Sequence, residues 1–363
     1  MKKPHNLLEA INDLDDNIIE DALAAPVIPF KKRKVFRLAV VAAIIASLGI
    51  TVYAVNSLGL WYQNYFADHL HSEITPQQAT FLEENVIPVE DAHQPGITLE
   101  SALTDGVVIY MKLHVTGPEG VTLLPWDEDR NRGLVANNGF YSEKFNVGSD
   151  EVTDVVTIEG KKVYNGLRFI PMEDGDGNEN TMDYMATGML EAPWDETTGK
   201  EIPLDLPGKT LDIRIQDFYQ LTSEEDYSNA QIEKILSGEW NFEVPITEKG
   251  LETRELLSEP VISSLEYLDM EAEEKTFRWQ EDIPITGITM RALSMDVRYD
   301  WPHNSGNPGE IAWAVMKDGS KVRLITQYGG QGMVQYHAGS PIVLNNLDHV
   351  EFKNGLVVPA PDS

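Results

Sequence analysis

The stretch that most constrains this chain is FKKRKVFRLAVVAAIIASLGITVYAV, Phe30 to Val55. Lys31, Lys32, Arg33, Lys34 and Arg37 place five cations within seven positions, and the 18 residues from Leu38 to Val55 carry no charge. As an α-helix, 18 residues rise about 27 Å, close to the ~30 Å hydrocarbon core of a bilayer. The next charged residue is Asp68, and before it come Trp61, Tyr62, Tyr65 and Phe66, whose rings favour a membrane–water interface. Anionic headgroups attract each flanking cation by about 1 kcal/mol, and the membrane potential opposes moving it outward. The sequence therefore predicts a transmembrane helix over 38–58, with Lys31, Lys32, Arg33, Lys34 and Arg37 on one flank and Trp61 and Tyr62 on the other. The protein is expected in the cell membrane as a single-pass chain, N-terminus cytoplasmic and C-terminal region extracytoplasmic. A buried core helix would carry a polar face, which this run lacks. A cleaved signal peptide is the other alternative, with Val52 and Ala54 meeting a small-residue cleavage rule. Against it stand the 37 residues, six of them acidic, ahead of the apolar run.

Charge follows the same division. Residues 1–37 hold seven Lys or Arg and six Asp or Glu, a net of +1, so the rest carries −32 of the total −31. That acidity excludes a nucleic-acid partner, which needs cations to replace counterions on phosphates. No cysteine is present, so neither a disulfide nor a thiolate site is available.

The interior segment, 1–37, reads as an amphipathic helix followed by the basic flank. Asn6 is the predicted N-cap and Glu9 completes a capping-box pair. Leu7, Ile11, Leu14 and Ile18 form one apolar stripe that Leu8 and Ile19 widen, and acids occupy the other face. Pro26 and Pro29 end it. The helix is too short to hold alone in water and too acidic for anionic lipid. These six apolar residues are the expected surface for a cytoplasmic partner. A solvated, frayed tail is the alternative.

The exterior portion begins with a juxtamembrane stalk over 59–92, in which TPQQATFLEENV (Thr75 to Val86) is a helix with a Thr cap and Pro at its first position. From Gly96 the apolar period changes to two. Val107, Ile109, Met111, Leu113 and Val115 alternate with Val108, Tyr110, Lys112 and His114, and Asp105-Gly106 marks a hairpin turn. Trp240, Phe242, Val244 and Ile246 face one way in a later strand, and one helix is expected at Thr222 to Gly238. The expected fold is mainly β: an immunoglobulin-like sandwich over 93–247, a linker with a leading strand over 248–283, and a second sandwich over 284–363. Asp318-Gly319 and Asn354-Gly355 are the predicted turns of the latter. Gly96-Ile97-Thr98-Leu99 is echoed by Gly287-Ile288-Thr289-Met290, and each is followed by a small residue and Leu.

No nucleophile-elbow, zincin, P-loop or dinucleotide-binding pattern is present, so no catalytic or cofactor-binding residue is expected. Asp174, Asp176 and Asn178 alternate as the first ligands of a calcium loop do, and are a weak calcium candidate. Glu179 stands where the loop needs Gly, and Met185 where it needs a bidentate Glu. His69 and His71 form an H-x-H pair lacking further ligands nearby.

LLEAINDLDDNIIEDAL before the anchor, TPQQATFLEENV after it, GITLESALTDGVVIYMKLHV with GEWNFEVPI, and KDGSKVRL leading to PIVLNNLDHVEFKNGLVVP together carry a family likeness. The chain resembles the anti-sigma-factor-like single-pass membrane proteins of Gram-positive bacteria, whose ectodomains are immunoglobulin-like. The resemblance implies a regulator: an interior helix restraining a sigma factor, or another cytoplasmic protein, until the exterior registers an unknown ligand. The zinc-bearing module of the better-known class is absent, as there is no Cys. A surface binding or adhesion module, in which the tail has no regulatory role, is the other reading. An exterior hydrolase has no supporting constellation.

Overall fold

The computed structural model describes residues 58–89, 93–124, 133–136, 155–158, 161–164, 168–172, 178–189, 194–195, 200–201, 206–222, 231–268, 278–300, 311–330 and 332–361. Leu58–Ser363 forms one compact unit, mainly β and built of antiparallel sheets. No helix among the described residues is long and apolar enough to cross a membrane. The predicted span over 38–58 lies outside the described residues except for Leu58, as do the whole cytoplasmic helix and its basic flank.

Two helices lead the unit: α1 over 58–68 and α2, Pro76–Asn85. The predicted cap of α2 is present. Thr75 Oγ1 accepts from Gln78 N–H at 3.3 Å, and Gln78 Oε1 accepts from Thr75 N–H at 2.9 Å, so two orphan donors are satisfied reciprocally.

The strands of the first β region are β1 (Ile87–Pro88), β2 (His93–Gln94), β3 (Ile97–Thr104), β4 (Val108–Thr116), β5 (Gly133–Ala136), β6 (Val155–Ile158), β7 (Lys161–Tyr164), β8 (Arg168–Met172), β9 (Thr181–Met189), β10 (Trp194–Asp195), β11 (Lys200–Glu201), β12 (Thr210–Thr222) and β13 (Gln231–Pro245). Sheet 1 runs β1-β3-β4-β9-β8, with β2 also on β3; sheet 2 runs β13-β12-β6-β7, with β5 on β12; β10 and β11 pair alone. The period-two pattern decides which side chains meet. Ile109, Met111, Leu113 and Val115 of β4 share one core with Leu211 and Ile213 of β12 and with Trp240, Phe242 and Val244 of β13. Val108 and Tyr110 point the other way, into a second core beneath the helices. Both faces of β4 are therefore covered, which its nearly continuous apolar run requires.

The helix expected at Thr222 to Gly238 is not formed in its described part. From Gln231 the chain is strand, paired with β12 from Thr222↔Gln231 to Thr210↔Pro245. Ile232, Ile235 and Leu236 stand at helix-like spacing in the sequence. That spacing comes from register shifts around Phe218, where the pairing slips from Gln216↔Glu239 to Phe218↔Leu236 and then to Tyr219↔Lys234. Asp217 sits at the slip with φ +48°, and its carboxylate accepts from Gly238 N–H at 2.9 Å and Lys234 Nζ at 2.7 Å. A bulge that inserts residues breaks a strand's alternation into something that imitates a helix.

The remaining strands are β14 (Arg254–Glu255), β15 (Val261–Leu268), β16 (Arg278–Met290), β17 (Ser294–Tyr299), β18 (Ala312–Met316), β19 (Lys321–Gly330), β20 (Met333–Ala338), β21 (Leu347–Phe352) and β22 (Val357–Pro359). They make sheet 3, of order β14-β16-β17-β20-β19-β18-β21-β22 with β15 also on β16. The segment expected as a linker with a leading strand, 248–283, supplies β14, β15 and the start of β16. The core side chains of sheet 3 gather in one cluster, so the sheet curls around its own interior. Gly319 and Gly355 occupy their predicted turns with positive φ.

The two echoing segments meet through their turns. Gly106, φ +88°, supplies the left-handed backbone of the β3–β4 turn and lets Leu206 approach, since a Cβ there would stand 2.9 Å from Leu206 Cδ1. The β16–β17 turn brings Ala292 and Leu293 into the same buried cluster as Leu103 and Val108.

Candidate functional site

α1, α2, sheet 1 and the β16–β17 turn converge on a third buried cluster, separate from the two sheet cores. Tyr62, Tyr65 and Phe66 recur at helical spacing and form the inner stripe of α1. Tyr62 and Phe66 are fully buried, and Tyr65 is nearly so. They pack with Leu82 and Val86 at α2, Tyr110 and Met185 on sheet 1, and Ala292 and Leu293. Phe66 and Tyr110 meet edge-on at 5.4 Å, a favoured arrangement of ring quadrupoles. Gly59 lets α2 approach, for a Cβ there would lie 3.1 Å from Glu83 Cγ. Burial pushes the Tyr62 and Tyr110 hydroxyls well above the ordinary phenol range.

Beside this aromatic stripe runs a row of charge on the same face of sheet 1. Lys112 Nζ lies 2.7 Å from Glu100 Oε2 and 3.1 Å from Asp183 Oδ2, and His114 Nδ1 lies 2.8 Å from Asp183 Oδ1. Cross-strand register sets this up: β4 pairs with β9 so that His114 stands opposite Asp183, with Lys112 two residues along. Trp61 lies over one end of the row, its ring 5.1 Å from Lys112 Nζ, a distance at which the ring quadrupole attracts the ammonium. Burial works against the Lys112 charge, but Glu100 and then Asp183 outweigh it and hold the ammonium above its ordinary value. The hydrogen bond to Asp183 raises His114 against the opposing effect of burial. Burial would raise Asp183, yet the bond from His114 and the charge of Lys112 prevail and hold its carboxyl low.

A second buried carboxylate ties the β regions together. Asp105 Oδ1 accepts from Val107 N–H at 3.0 Å and Val108 N–H at 2.8 Å, as a turn residue does. Its Oδ2 accepts from Leu293 N–H at 3.0 Å and Ser294 Oγ at 2.6 Å, across the junction. The helices reach the same way. Gln78 Nε2 donates to Pro341 O at 2.6 Å and Ser340 Oγ at 3.1 Å, and Ser72 Oγ donates to Gly339 O at 2.8 Å.

Several residues singled out by sequence are now placed. Tyr62, expected at a lipid interface, is inside the protein, and Trp61 is half-buried over Lys112. The amphipathic chemistry that suits a ring to headgroups suits it equally to a partly polar protein interior. Asp174 and Asp176 lie outside the described residues. Asn178 is exposed, and its carbonyl accepts from Thr181 Oγ1 at 3.1 Å. Among the described residues no group of three or more His, Asp or Glu is arranged to hold a metal ion. His69 and His71 are exposed, with His69 stacked on Tyr65 at 5.7 Å. The six apolar residues Leu7, Leu8, Ile11, Leu14, Ile18 and Ile19, and the cations Lys31, Lys32, Arg33, Lys34 and Arg37, lie outside the described residues. An open hollow over β6, β12 and β13 is lined by Thr157, Asp212, Arg214, Asn241 and Glu243, with Arg214 committed to Glu239 at 2.6 Å.

No family model matches the chain, and no curated protein matches it. A solved structure titled "The crystal structure of the conserved domain protein from Bacillus anthracis" aligns at a TM-score of 0.38 and 11% identity, over 74% of this chain and 76% of that one. A likeness at that level carries no functional argument.

Proposed function

We propose that the chain is a non-catalytic, single-pass membrane regulator. In this reading α1 relays the state of exterior, immunoglobulin-like β regions to a short cytoplasmic partner-binding helix. The observation that carries it is the burial of Tyr62, Tyr65 and Phe66 in a core shared by sheet 1 and the β16–β17 turn. Twenty residues of chain after Leu38 bring the predicted span to α1. A flexible tether there would transmit nothing. A helix keyed by three aromatic rings cannot shift without repacking them, because close-packed interiors switch between discrete arrangements. Whatever biases sheet 1 against sheet 3 then biases α1. Inside, the stripe of Leu7, Leu8, Ile11, Leu14, Ile18 and Ile19 would take a sigma factor or another cytoplasmic protein as its partner.

Replacing Ile11, Leu14 and Ile18 together by Asp tests the reading. The expected result is a changed transcript profile at unchanged levels of the protein. An unchanged profile would overturn it and leave the surface-binding reading, in which the tail is inert.

A further inference from the structure

The row that begins at Lys112 beneath Trp61 ends in an imidazole, His114, reached through Asp183. We propose that His114, Asp183, Lys112 and Glu100 form a proton-operated clasp on α1, closed when the imidazole is protonated and loosened when it is neutral. The inference rests on α1 being the relay, and it names what regulates that relay.

Charge counting carries the argument. With His114 protonated, two cations face two carboxylates and the row is neutral. With His114 neutral, Lys112 alone faces Asp183 and Glu100, and the row holds an unmatched negative charge. Asp183 is only 6% exposed at its side chain and Lys112 14%, so water screens that charge poorly. Lys112 is then drawn toward Asp183, and its placement under Trp61 is weakened.

Among the described residues the surroundings add one imidazole, His93, which is bonded to Thr98 and not to Asp183. From β3 come Glu100 and Thr98, the latter opposite His114 in register. From β2 comes His93, whose Nδ1 lies 2.6 Å from Thr98 Oγ1. From β9 comes Asp183, and from β8 Met172 stands opposite it. α1 contributes Trp61, which does not titrate. The interface is also poised to open. Trp61 Nε1 and Tyr110 Oη are buried without a hydrogen-bond partner among the described residues. Undocking returns both to water and recovers their desolvation cost.

The sign follows from the charge count: docking of α1 takes water from Lys112 and the carboxylates beside it, and a row with an unmatched negative charge loses more by that than a neutral one. Asp183 holds His114 above its ordinary 6.5 in the fold, so docking is tightest at low pH and weakens as pH rises through that raised value. Release of one proton changes the opening equilibrium by at most about tenfold per pH unit.

The test is hydrogen exchange of the α1 amides in the full-length chain in detergent micelles, from pH 5.5 to 8.5, each corrected for intrinsic exchange. The opening constant of α1 is expected to rise about three- to tenfold across that range, while β17 stays protected throughout. His114→Ala should be flat at the loose level, with His114→Gln as a second neutral replacement. His114→Arg, a permanent cation, should be flat at the tight level, and His93→Ala should keep the parent profile. A flat parent profile, or an undiminished rise in both neutral variants, overturns the clasp. If the clasp titrates but the Ile11, Leu14 and Ile18 substitutions leave transcription unchanged, the regulatory reading fails and the clasp stands. If transcription responds but α1 exchange ignores pH, the clasp alone fails.

Discussion

Two buried carboxylates, Asp105 and Asp183, sit on the same side of sheet 1 and hold it to different things in different ways. Asp105 is 2% exposed and Asp183 4%. Asp105 is met by uncharged donors: two N–H groups of its own turn, one N–H from Leu293 and one hydroxyl from Ser294. Asp183 is met by cations, Lys112 and His114. None of the donors to Asp105 titrates near neutral pH, and one partner of Asp183 does. The first arrangement makes a fixed joint between β regions. The second makes a contact whose strength depends on the medium. The proposed regulatory reading needs both, since a movable part signals only against a part that stays still.

The largest expected effect comes from breaking the fixed joint. Asp105→Ala removes four accepted hydrogen bonds and leaves Leu293 N–H and Ser294 Oγ buried without an acceptor. Deleting one side of such a buried network costs about 3–5 kcal/mol, read as a fall in the urea midpoint of the full-length chain. Asp105→Asn keeps Oδ1 as acceptor but turns a donor toward Leu293 N–H, and about half that loss is expected. Neither variant should alter the shape of the stability–pH profile between pH 6 and 8. A profile that changes shape would mean the joint is not independent of the clasp.

How far the sequence announces these two sites differs for a physical reason. The turn role of Asp105 is local, and Asp105-Gly106 reads as a hairpin directly. Its second role depends on Ser294, 189 residues away, and no local pattern encodes that. Lys112 and His114 read as the polar alternates of β4, which is correct as far as period goes. Only the pairing with β9 shows that Asp183 waits opposite. The α2 cap, the three Gly turns and the inward stripe of Trp240, Phe242 and Val244 are short-range chemistry and were legible. The first half of β13 was not, because the bulge at Asp217 scrambles its period. Tyr62 was misplaced because burial in protein and burial at a lipid interface draw on the same amphipathic ring.

Breaking the titrating contact should cost less and change more with pH. Asp183→Asn keeps the size of the side chain but removes the charge that both Lys112 and His114 face. A loss of about 1–3 kcal/mol is expected at pH 6. The parent has two pH limbs that this variant should lose. Asp183 is held low in the fold, so its contribution is complete above the ordinary 3.8 and is lost as pH falls through the lowered folded value. His114 is held high, so its contribution falls away as pH rises through the raised folded value. Chemical denaturation at half-unit pH steps should therefore give a dome for the parent and a flatter line for the variant. Two superimposable profiles would remove the contrast between the two carboxylates.

The smallest effect expected is at Tyr62, whose ring packs in the buried cluster between α1 and sheet 1. Tyr62 Oη donates to Tyr110 O at 3.3 Å and lies 3.4 Å from Ser101 Oγ, both long for hydroxyl hydrogen bonds. Its fully buried ring fills the α1 interface whether or not the hydroxyl is present. Tyr62→Phe should thus cost only about 0.5–1 kcal/mol and leave α1 exchange and its pH dependence close to the parent's. Tyr62→Ala, which empties the site, should cost several times more by the cavity it leaves. If Phe proved as damaging as Ala, α1 would be held by that hydroxyl and not by shape. The junction would then have a polar key at Tyr110 O in place of an aromatic one, and Trp61 over Lys112 would no longer be the contact through which protonation reaches the helix.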